Sequence, residues 1–502
     1  MKRIRLESSG TTCEDCARPV ENALAASERM PEAPERDGAA GFDLLVIGTG
    51  AAGMAAAIRG AELGRRVGIV EAGTVGGTCV NVGCIPSKAL LAAAERYHDA
   101  RTGFPGIEGY QPDPDWPGLR EQKRYLVRSL RMSKYLDVLA SYPGITLLRG
   151  SARVAGNGTV EVGGVLHRAP KLVVAAGTSP WTPPIPGIET VEVQTSTTVM
   201  ELDEVPESMI VLGGSAIGLE MGQLFARFGT RVTIIELLSR LLPAEDEEAS
   251  EELRRNLEHE GLRIVTGADV TRVQDGGGTV VVHAETPGGS RSFHAQRLLS
   301  ATGRRANTAG LGLERVGVEL DERGFVRVDP GMRTTHPDIF AAGDITGGPG
   351  FVYVAAAGGR VAADNALSDA ARSLDLLAVP RVTFTSPQLA AVGLNSAQAH
   401  ERGLEAEVRR VGLEHVPRAL VEHRPQGWIQ LVAERGSGRI LGVQAVGRNA
   451  AELLGEATLA VRLGLTIDDV ADTLHPYLTW VEGLKLAAQS FRTDVSRLSC
   501  CA

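Results

Sequence analysis

Long apolar runs and dense basic clusters are both missing from this sequence of 502 residues. No apolar stretch is long enough to cross a bilayer, and the first ten residues lack the apolar centre of a secretion signal. We therefore expect a cytoplasmic protein without a membrane span. Basic residues number 52 against 61 acidic ones, for a formal charge of −9, which argues against nucleic acid as a partner and favours small molecules.

Cysteine is also scarce, because the chain has only six, all of them in close pairs. The pairs are Cys13/Cys16, Cys79/Cys84 and Cys500/Cys501. A disulfide gains most by closing a long loop, so short-range pairs indicate redox or metal sites instead. Adjacent residues have Cα atoms about 3.8 Å apart, whereas disulfides prefer roughly 4.4–6.8 Å. Cys500 and Cys501 are therefore better suited to bind a soft metal ion through their two thiolates.

The length of the chain predicts several domains. Residues 1–29 are too short to fold alone, and the Pro-, Gly- and charge-rich stretch at 31–41 is typical of a linker, so the globular body should begin near Phe42. From about Val379, short apolar runs alternate with helices, as in an α+β domain. We expect an arm and linker at 1–41, a globular body that begins at Phe42 and a further domain at 379–502.

An internal repeat predicts two βαβ units. The stretches "FDLLVIGTGAAGMAAAIRGAELGRRVGIVEAG" and "ESMIVLGGSAIGLEMGQLFARFGTRVTIIEL" each contain a strand, a Gly turn, a helix and a strand that ends in Glu. The first Gly of the turn precedes that Glu by 23 residues both times, from Gly48 to Glu71 and from Gly213 to Glu236. The turns carry Gly48, Gly50 and Gly53 in the first unit, and Gly213, Ser215 and Gly218 in the second. The pattern predicts two dinucleotide sites.

The glutamates suggest which dinucleotides bind. A carboxylate at the strand end accepts hydrogen bonds from ribose hydroxyls and repels a 2′-phosphate. Glu71 therefore suits FAD, and Glu236 favours NADH over NADPH, although Arg240 lies four residues later and would partly offset that repulsion. The fold class that follows is α/β, with two Rossmann-like dinucleotide-binding domains and a C-terminal α+β domain.

A dithiol follows the first unit in "GTCVNVGCIPSKALLAAAE". Cys79 and Cys84 are five residues apart, about 500° around an ideal helix, so they meet only where the helical turn is distorted. Gly83 and Pro86 permit that distortion, and the helix that continues from them places its positive end beside the sulfurs. Directly after an FAD-type unit, this pair predicts electron exchange with a flavin.

These motifs together resemble the flavin disulfide reductases, the group of dihydrolipoamide dehydrogenase and glutathione reductase. The residues that carry the resemblance are "GGTCVNVGCIPSK", "AAGD" at 341–344 and the two dinucleotide units. The resemblance implies that Cys79 and Cys84 are the redox pair, with Cys84 against the flavin, and that Lys88 lies by the reactive flavin nitrogen with Glu220 as its partner. It implies further FAD contacts from Gly53, Gly73, Thr78, Ala152, Asp344 and Val352.

The same resemblance assigns the segments of the chain. Residues 42–187 and 307–378 would form the FAD domain, and 188–306 the NAD(P)H domain, closed by the "ATGR" stretch that contains Gly303. Residues 379–502 would form a dimerisation domain with a dithiol tail. Members of this family are homodimers whose C-terminal domain completes the active site of the partner subunit.

The C-terminal proton-transfer motif of the family is altered here. The usual pattern resembles H-x-H-P-T-x-x-E, and the matching stretch "HPYLTWVE" places Tyr477 where the second His belongs while keeping Glu482. His475, two positions earlier, is expected to be a local structural residue. A Tyr, with an ordinary pKa near 10, is a poor proton shuttle at neutral pH, which argues against a dithiol substrate.

The C-terminal stretch "PYLTWVEGLKLAAQ" with "LSCCA" resembles the mercuric reductases within this family. That resemblance implies that Cys500 and Cys501 capture thiol-bound Hg²⁺ and pass it to Cys79 and Cys84 of the partner subunit, with Tyr477 lining the site. NAD(P)H would reduce FAD, and the metal would leave as Hg⁰. Two alternatives are a disulfide or lipoamide reductase that tolerates Tyr477, and a non-catalytic, flavin-bound metal buffer.

The N-terminal stretch "SGTTCEDCARPVENAL" is similar to the G-M-T-C-x-x-C loop and helix of heavy-metal-associated domains. Only the first strand, loop and helix of such a domain are present. Cys13 and Cys16 therefore either bind metal from a short arm or belong to a degenerate remnant.

Overall fold

The computed structural model describes residues 41–156 and 158–497, except for the side chain of Ser496. The elements of its first part are, in chain order, β1 (Leu44–Ile47), α1 (Ala51–Glu62), β2 (Val67–Glu71), α2 (Gly77–Val82), α3 (Cys84–Thr102), α4 (Trp116–Arg131), a π-helical turn (Met132–Leu136), α5 (Asp137–Ala140), β3 (Ile145–Arg149), β4 (Ala152–Gly156), β5 (Thr159–Val162), β6 (Val165–Arg168), β7 (Lys171–Val174) and β8 (Thr178–Pro180).

The second part contains, in chain order, β9 (Val193–Gln194), β10 (Ser208–Leu212), α6 (Ala216–Arg227), β11 (Arg231–Ile235), α7 (Glu247–His259), β12 (Arg263–Val265), β13 (Asp269–Asp275), β14 (Val280–Thr286), β15 (Gly289–Ala295), β16 (Arg297–Ser300) and β17 (Arg304–Ala306). Its main sheet is parallel, in the order β12-β11-β10-β16-β9, and a three-stranded antiparallel sheet, β13-β14-β15, follows β12 along the chain.

The last part contains β18 (Ile339–Ala341), α8 (Val352–Leu367), β19 (Arg381–Thr383), β20 (Gln388–Gly393), α9 (Ser396–Glu401), β21 (Ala406–Gly412), α10 (Pro417–Val421), β22 (Trp428–Glu434), β23 (Ile440–Gly447), α11 (Ala450–Leu463), α12 (Ile467–Asp472) and α13 (Glu482–Gln489). Short 3₁₀ turns lie at Ile188–Thr190, Val199–Glu201, Glu314–Val316, Asp344–Thr346, Leu413–His415 and Val495–Arg497.

The first sheet is parallel, in the order β18-β7-β1-β2-β3, and is completed by a strand from far along the chain. Strands β1 and β2 read as continuous apolar runs because both faces of the sheet are covered. Strand β18 pairs with β7 after the whole second unit has intervened, and α8 then packs against α1. The chain therefore returns to its first sheet after building the second.

The C-terminal part forms one antiparallel sheet, in the order β19-β20-β23-β22-β21. Strands β22 and β23 are buried along nearly their whole length, between α11, α13 and the rest of the chain. The two parallel sheets with this mixed third unit confirm the α/β class and the additional α+β domain predicted from the sequence. Within residues 41–497, we find no helix with the length and apolar character needed to cross a bilayer.

Helices α1 and α8 touch through their backbones at a glycine. A Cβ atom built on Gly359 would lie 2.0 Å from the carbonyl oxygen of Ala52, which no side chain can tolerate. At the neighbouring Gly358, the nearest atom would be the Met332 sulfur at 3.4 Å, an ordinary van der Waals contact. Packing therefore requires glycine at Gly359 but not at Gly358.

The two glycines provide a matched test of this contact. We expect Gly359→Ala to lower the free energy of unfolding by about 2 kcal/mol, because the helices must separate to admit the methyl group. Gly358→Ala should change it by less than about 0.5 kcal/mol. Denaturant unfolding of the two variants beside the unmodified chain gives the measurement, and equal effects would contradict the close approach.

Candidate functional site

Both Gly-rich turns have a backbone that only glycine allows. Gly48 has a φ of 106°, and a Cβ atom on Gly53 would lie 1.8 Å from the carbonyl oxygen of Gly48. The second turn repeats this geometry, with a φ of 106° at Gly213 and a Cβ on Gly218 at 2.0 Å from the carbonyl oxygen of Gly213. Each turn therefore brings its strand and helix together as a dinucleotide turn does.

Glu71 connects the end of β2 to the first Gly turn. Its Oε2 accepts hydrogen bonds from the backbone N–H of Thr49 at 3.3 Å and from the Thr49 hydroxyl, while Oε1 accepts from the N–H of Gly73 at 2.8 Å. The carboxylate is thus fixed beside the turn, where the ribose of a bound adenine dinucleotide lies. Gly73, another predicted FAD contact, belongs to the same arrangement.

Glu236 makes the equivalent contacts in the second unit. Its Oε2 accepts from the N–H of Gly214 at 2.5 Å, and its Oε1 accepts from the N–H of Leu238 at 2.8 Å. The residue is buried. The repeat read from the sequence therefore extends to the hydrogen bonds of the two carboxylates.

The dithiol forms where one helix stops and the next begins. Helix α2 ends at Val82, Gly83 adopts a non-helical φ of −120° and ψ of −111°, and Cys84 begins α3. This break brings the sulfurs of Cys79 and Cys84 within hydrogen-bonding distance, as the five-residue spacing with Gly83 predicts. Both cysteines are free thiols.

The two sulfurs differ in acidity. The hydrogen bond from the Cys79 thiol, helped by the nearby ammonium of Lys88, lowers the pKa of Cys84 to about 7, against the opposing effect of burial. The same hydrogen bond and burial raise the pKa of Cys79 above its ordinary value. Cys84 is therefore the thiolate of the pair near neutral pH, and Cys79 carries the proton.

An ion pair lies one helical turn beyond the dithiol. The Lys88 ammonium is 2.6 Å from Oε2 of Glu220, which is almost completely buried on α6. The other oxygen of Glu220 accepts a hydrogen bond from the backbone N–H of Phe384 at 2.9 Å, and the Lys88 Nζ lies 4.7 Å from the centre of the Phe384 ring. The structure thus brings together the predicted pair and adds Phe384, which the sequence did not reveal.

Asp344 lies in a second polar group beside the first Gly turn. The Thr178 hydroxyl donates to its Oδ2 at 3.3 Å, and Arg304 donates to the hydroxyl and the carbonyl oxygen of Thr178, both at 2.7 Å. Burial lowers the pKa of the Arg304 guanidinium, while Asp344 opposes the shift. Sequence reasoning named only the neighbouring Gly303, which has a φ of 133°, and missed Arg304 in the same motif.

Two tyrosines near the dithiol were also missed. Tyr135 lies in the π-helical turn, and burial, together with Cys79 and Cys84, raises its pKa. Burial, with a further contribution from Cys84, raises the pKa of Tyr353 to about 12. The only signal in the sequence that could have drawn attention to them is that tyrosine is rare, because the chain has just seven. The π-helical turn itself has no pattern that could be read in advance.

The altered C-terminal motif lies in the third unit. Tyr477 is half exposed, and the N–H of Leu478 donates to Oε2 of Glu482 at 3.2 Å at the start of α13. His475 is buried, and its Nε2 is 2.8 Å from a carboxylate oxygen of Glu456. This contact is consistent with the local structural role predicted for His475, which stays a prediction.

The remaining predicted residues divide into two sets. Thr78 is exposed on α2, Ala152 begins β4 and Val352 begins α8. The thiols of the two chain ends lie outside the described residues: Cys13, Cys16, Cys500 and Cys501. In the part of the chain that the structure describes, no three acidic, His or Cys side chains cluster as a metal site would require.

The residues around the first turn fit FAD. Helices α1, α3 and α8 begin without a side-chain cap, so their first N–H groups are available to anionic or polar groups of a ligand. A Cβ on Gly77 would lie 2.6 Å from the Cα of Gly50, so only glycine fits at this position. The absence of a side chain leaves room for a pyrophosphate to approach the backbone of the turn. In the second unit α6 also begins uncapped, at Ser215.

Sequence comparison finds two family matches. Residues 42–359 match the pyridine nucleotide-disulphide oxidoreductase family, and residues 379–488 match the dimerisation domain of that family. A mercuric reductase of Streptomyces lividans is 48% identical over 469 residues, which cover 92% of this chain and 98% of the relative. One from Bacillus cereus is 43% identical over 462 residues, covering 92% of this chain and 73% of the relative.

Two solved structures have the same fold. The HOCl-induced flavoprotein disulfide reductase RclA from Escherichia coli is 31% identical, with a TM-score of 0.81 over 89% of this chain and 99% of that one. LpdA from Mycobacterium tuberculosis is 27% identical, with a TM-score of 0.80 over 89% of this chain and 99% of that one.

The unequal acidity of the two thiols leads to a prediction. In the reduced protein, the iodoacetamide alkylation rate of Cys84 should rise with pH through a midpoint near 7, because the thiolate forms above the pKa and is lost below it. Cys79 should react only at higher pH. Lys88→Met should raise the Cys84 midpoint, whereas Lys134→Met, at an exposed lysine, should not. Peptide mass spectrometry identifies the site, and faster alkylation of Cys79 would refute this assignment.

Proposed function

The chain belongs to the pyridine nucleotide-disulphide oxidoreductase family, and we propose that within it the protein is a mercuric reductase, which reduces thiol-bound Hg(II) to Hg(0) with NAD(P)H. Relatives named mercuric reductase are 40% to 48% identical to this chain over about nine-tenths of its length. The structural observation that carries the proposal is the pairing of the free thiols Cys79 and Cys84, in which the hydrogen bond from Cys79 and the nearby Lys88 ammonium lower the pKa of Cys84, because Hg²⁺ prefers thiolate ligands.

The protein is an FAD-dependent oxidoreductase that uses a pyridine nucleotide. Bound FAD supplies the transfer of two electrons from the nicotinamide to the metal. In our proposal the first Gly turn, Glu71 and Asp344 hold FAD, and Gly213, Gly218 and Glu236 hold the nicotinamide coenzyme.

The thiols would hold the metal at the site of reduction. Cys84, with its pKa lowered to about 7, is partly ionised at neutral pH, and Cys79 would lose its proton to a thiolate that leaves the metal, because a coordinated thiol is deprotonated. Before the metal binds, the ammonium of Lys88 would stabilise the Cys84 thiolate, with Glu220 fixing its position. This chemistry requires no proton shuttle, which agrees with Tyr477 at the position where related enzymes carry His.

The C-terminal tail would deliver the substrate. The matched dimerisation domain supports a homodimer, in which Cys500 and Cys501 of one subunit would pass Hg²⁺ to Cys79 and Cys84 of the other by thiolate exchange. Tyr477 and Glu482 would line that route. We assign segments 42–187 and 307–378 to FAD, 188–306 to the coenzyme and 379–502 to the dimer, and the arm at 1–41 would offer Cys13 and Cys16 to the metal.

The coenzyme is proposed to be NADH, and the protein to act in the cytoplasm, where this coenzyme and small thiols occur. Glu236 is buried beside the second turn and would repel a 2′-phosphate. Arg240, which was expected to offset this repulsion, donates to the carbonyl oxygens of Glu245 at 3.0 Å and Pro243 at 2.7 Å. Its guanidinium is thus already engaged by the backbone.

The activity is tested by Hg²⁺-dependent NADH oxidation in excess small thiol, measured together with the loss of volatile mercury. Cys79→Ala or Cys84→Ala should reduce turnover to background, because the metal loses a ligand beside the flavin. The double variant Cys500→Ala/Cys501→Ala should slow turnover of thiol-bound Hg²⁺ by about tenfold or more, since delivery becomes a random encounter. Ser499→Ala is the matched control. Absence of Hg²⁺-dependent oxidation in the unmodified protein would refute the function.

The coenzyme assignment is tested separately with Glu236→Gln. This change keeps a hydrogen-bond acceptor for Gly214 but removes the charge, so the ratio of kcat/KM for NADPH to that for NADH should rise by about tenfold. Glu251→Gln, at an exposed carboxylate on α7, should leave the ratio unchanged. A preference for NADPH in the unmodified protein would contradict the role given to Glu236.

A further inference from the structure

A short segment of the third unit lies where all three parts of the chain meet. This junction segment comprises residues 380–387. At its start, the Tyr353 hydroxyl of α8 donates to the carbonyl oxygen of Pro380. The next residue, Arg381, forms a two-pronged ion pair with Glu245 of the second unit, at 2.8 and 3.0 Å. The segment is therefore attached to both dinucleotide units by its first two residues.

The end of the junction segment is bound to α6. The backbone N–H of Ser386 donates to Oε1 of Gln223 at 2.8 Å, and Nε2 of Gln223 donates back to the carbonyl oxygen of Ser386 at 2.6 Å. Arg227, one turn later on α6, donates to the same carbonyl at 3.3 Å. Gln223 and Arg227 are themselves buried, so these contacts hold the segment in register along the helix that carries Glu220.

Phe384, in the middle of this segment, contacts both members of the Lys88–Glu220 pair. Its backbone N–H donates to Oε1 of Glu220, and its ring faces the Lys88 ammonium. The Lys88 side chain is 34% exposed, whereas that of Glu220 is 6% exposed. The carboxylate is therefore held by its surroundings, but the ammonium has a long, rotatable stem and open space on one side.

The Phe384 ring gives the Lys88 ammonium a second attractive contact besides the Glu220 carboxylate. An ammonium over an aromatic face is attracted by the ring quadrupole, and the attraction grows when water is kept away. A charged donor with one carboxylate partner would otherwise be free to turn towards solvent. The aromatic face therefore restricts Lys88 to one side of Glu220.

We propose that Phe384 is a positioning residue that holds Lys88 against Glu220, and that the junction segment thereby makes the geometry beside the flavin depend on the third unit. The inference rests on the flavin site of the proposed function. It assigns no contact between Phe384 and a reacting atom, because Phe384 acts through Lys88. The cation at the site then stays where it can stabilise negative charge on a reduced flavin.

A double-mutant cycle on the FAD-loaded protein tests the proposal. Phe384→Leu keeps the N–H and most of the apolar volume but removes the ring, so flavin reduction by NADH in anaerobic stopped flow should slow by about fivefold. The flavin midpoint potential should shift to a lower value. In a Lys88→Met background the same change should have no further effect on either quantity, because the group on which it acts is gone. Phe384→Tyr, which restores the ring, should recover both.

The controls separate the possible failures. If the unmodified protein is not reduced by NADH, the proposed function fails, whereas normal reduction with no effect of Phe384→Leu overturns only the positioning role. Equal effects with and without Lys88 would also overturn it, since they would indicate general destabilisation. Should Phe384→Leu lose flavin, Phe384→Met takes its place in the cycle, and thermal unfolding of each variant reports whether the fold is intact.

Discussion

The ion pair between Lys88 and Glu220 is the contact on which the site depends, because it joins a helix of the first dinucleotide unit to a helix of the second. Lys88 lies one turn after Cys84 on α3, and Glu220 lies on α6 just beyond the second Gly turn. Burying a carboxylate costs solvation free energy, which the ammonium and a backbone N–H offset here. If the two dinucleotide units moved apart, that carboxylate would lose its ammonium partner and keep only the backbone N–H of Phe384.

The two dinucleotide units also use a glutamate carboxylate in the same way. In each, a glutamate at the end of the second strand accepts hydrogen bonds from its own Gly turn and from the N–H two residues later. The same carboxylate fixes the turn and, in the proposed function, would present negative charge to a ribose.

The fold and the dithiol were largely predictable because their signals are local. Spacing alone showed that Cys79 and Cys84 cannot share a helical face, and Gly83 marked the residue at which the helix breaks. The difference in acidity between the two sulfurs was not predictable in the same way, because it depends on their hydrogen bond and on Lys88. Phe384 and Tyr353 reach the site from distant parts of the chain, and no local pattern marks them.

The sequence by itself determined the two Gly turns, their glutamates and the position of the dithiol, because each depends on backbone geometry or spacing within a few tens of residues. Its resemblance to the flavin disulfide reductases also predicts that Tyr477 stands where that family carries histidine. Only the tertiary structure decided that Arg240 is engaged by carbonyl oxygens, that His475 pairs with Glu456 and that the Phe384 ring contacts Lys88. Those contacts join segments whose meeting depends on how separate elements pack, and packing leaves no periodic signal in one chain.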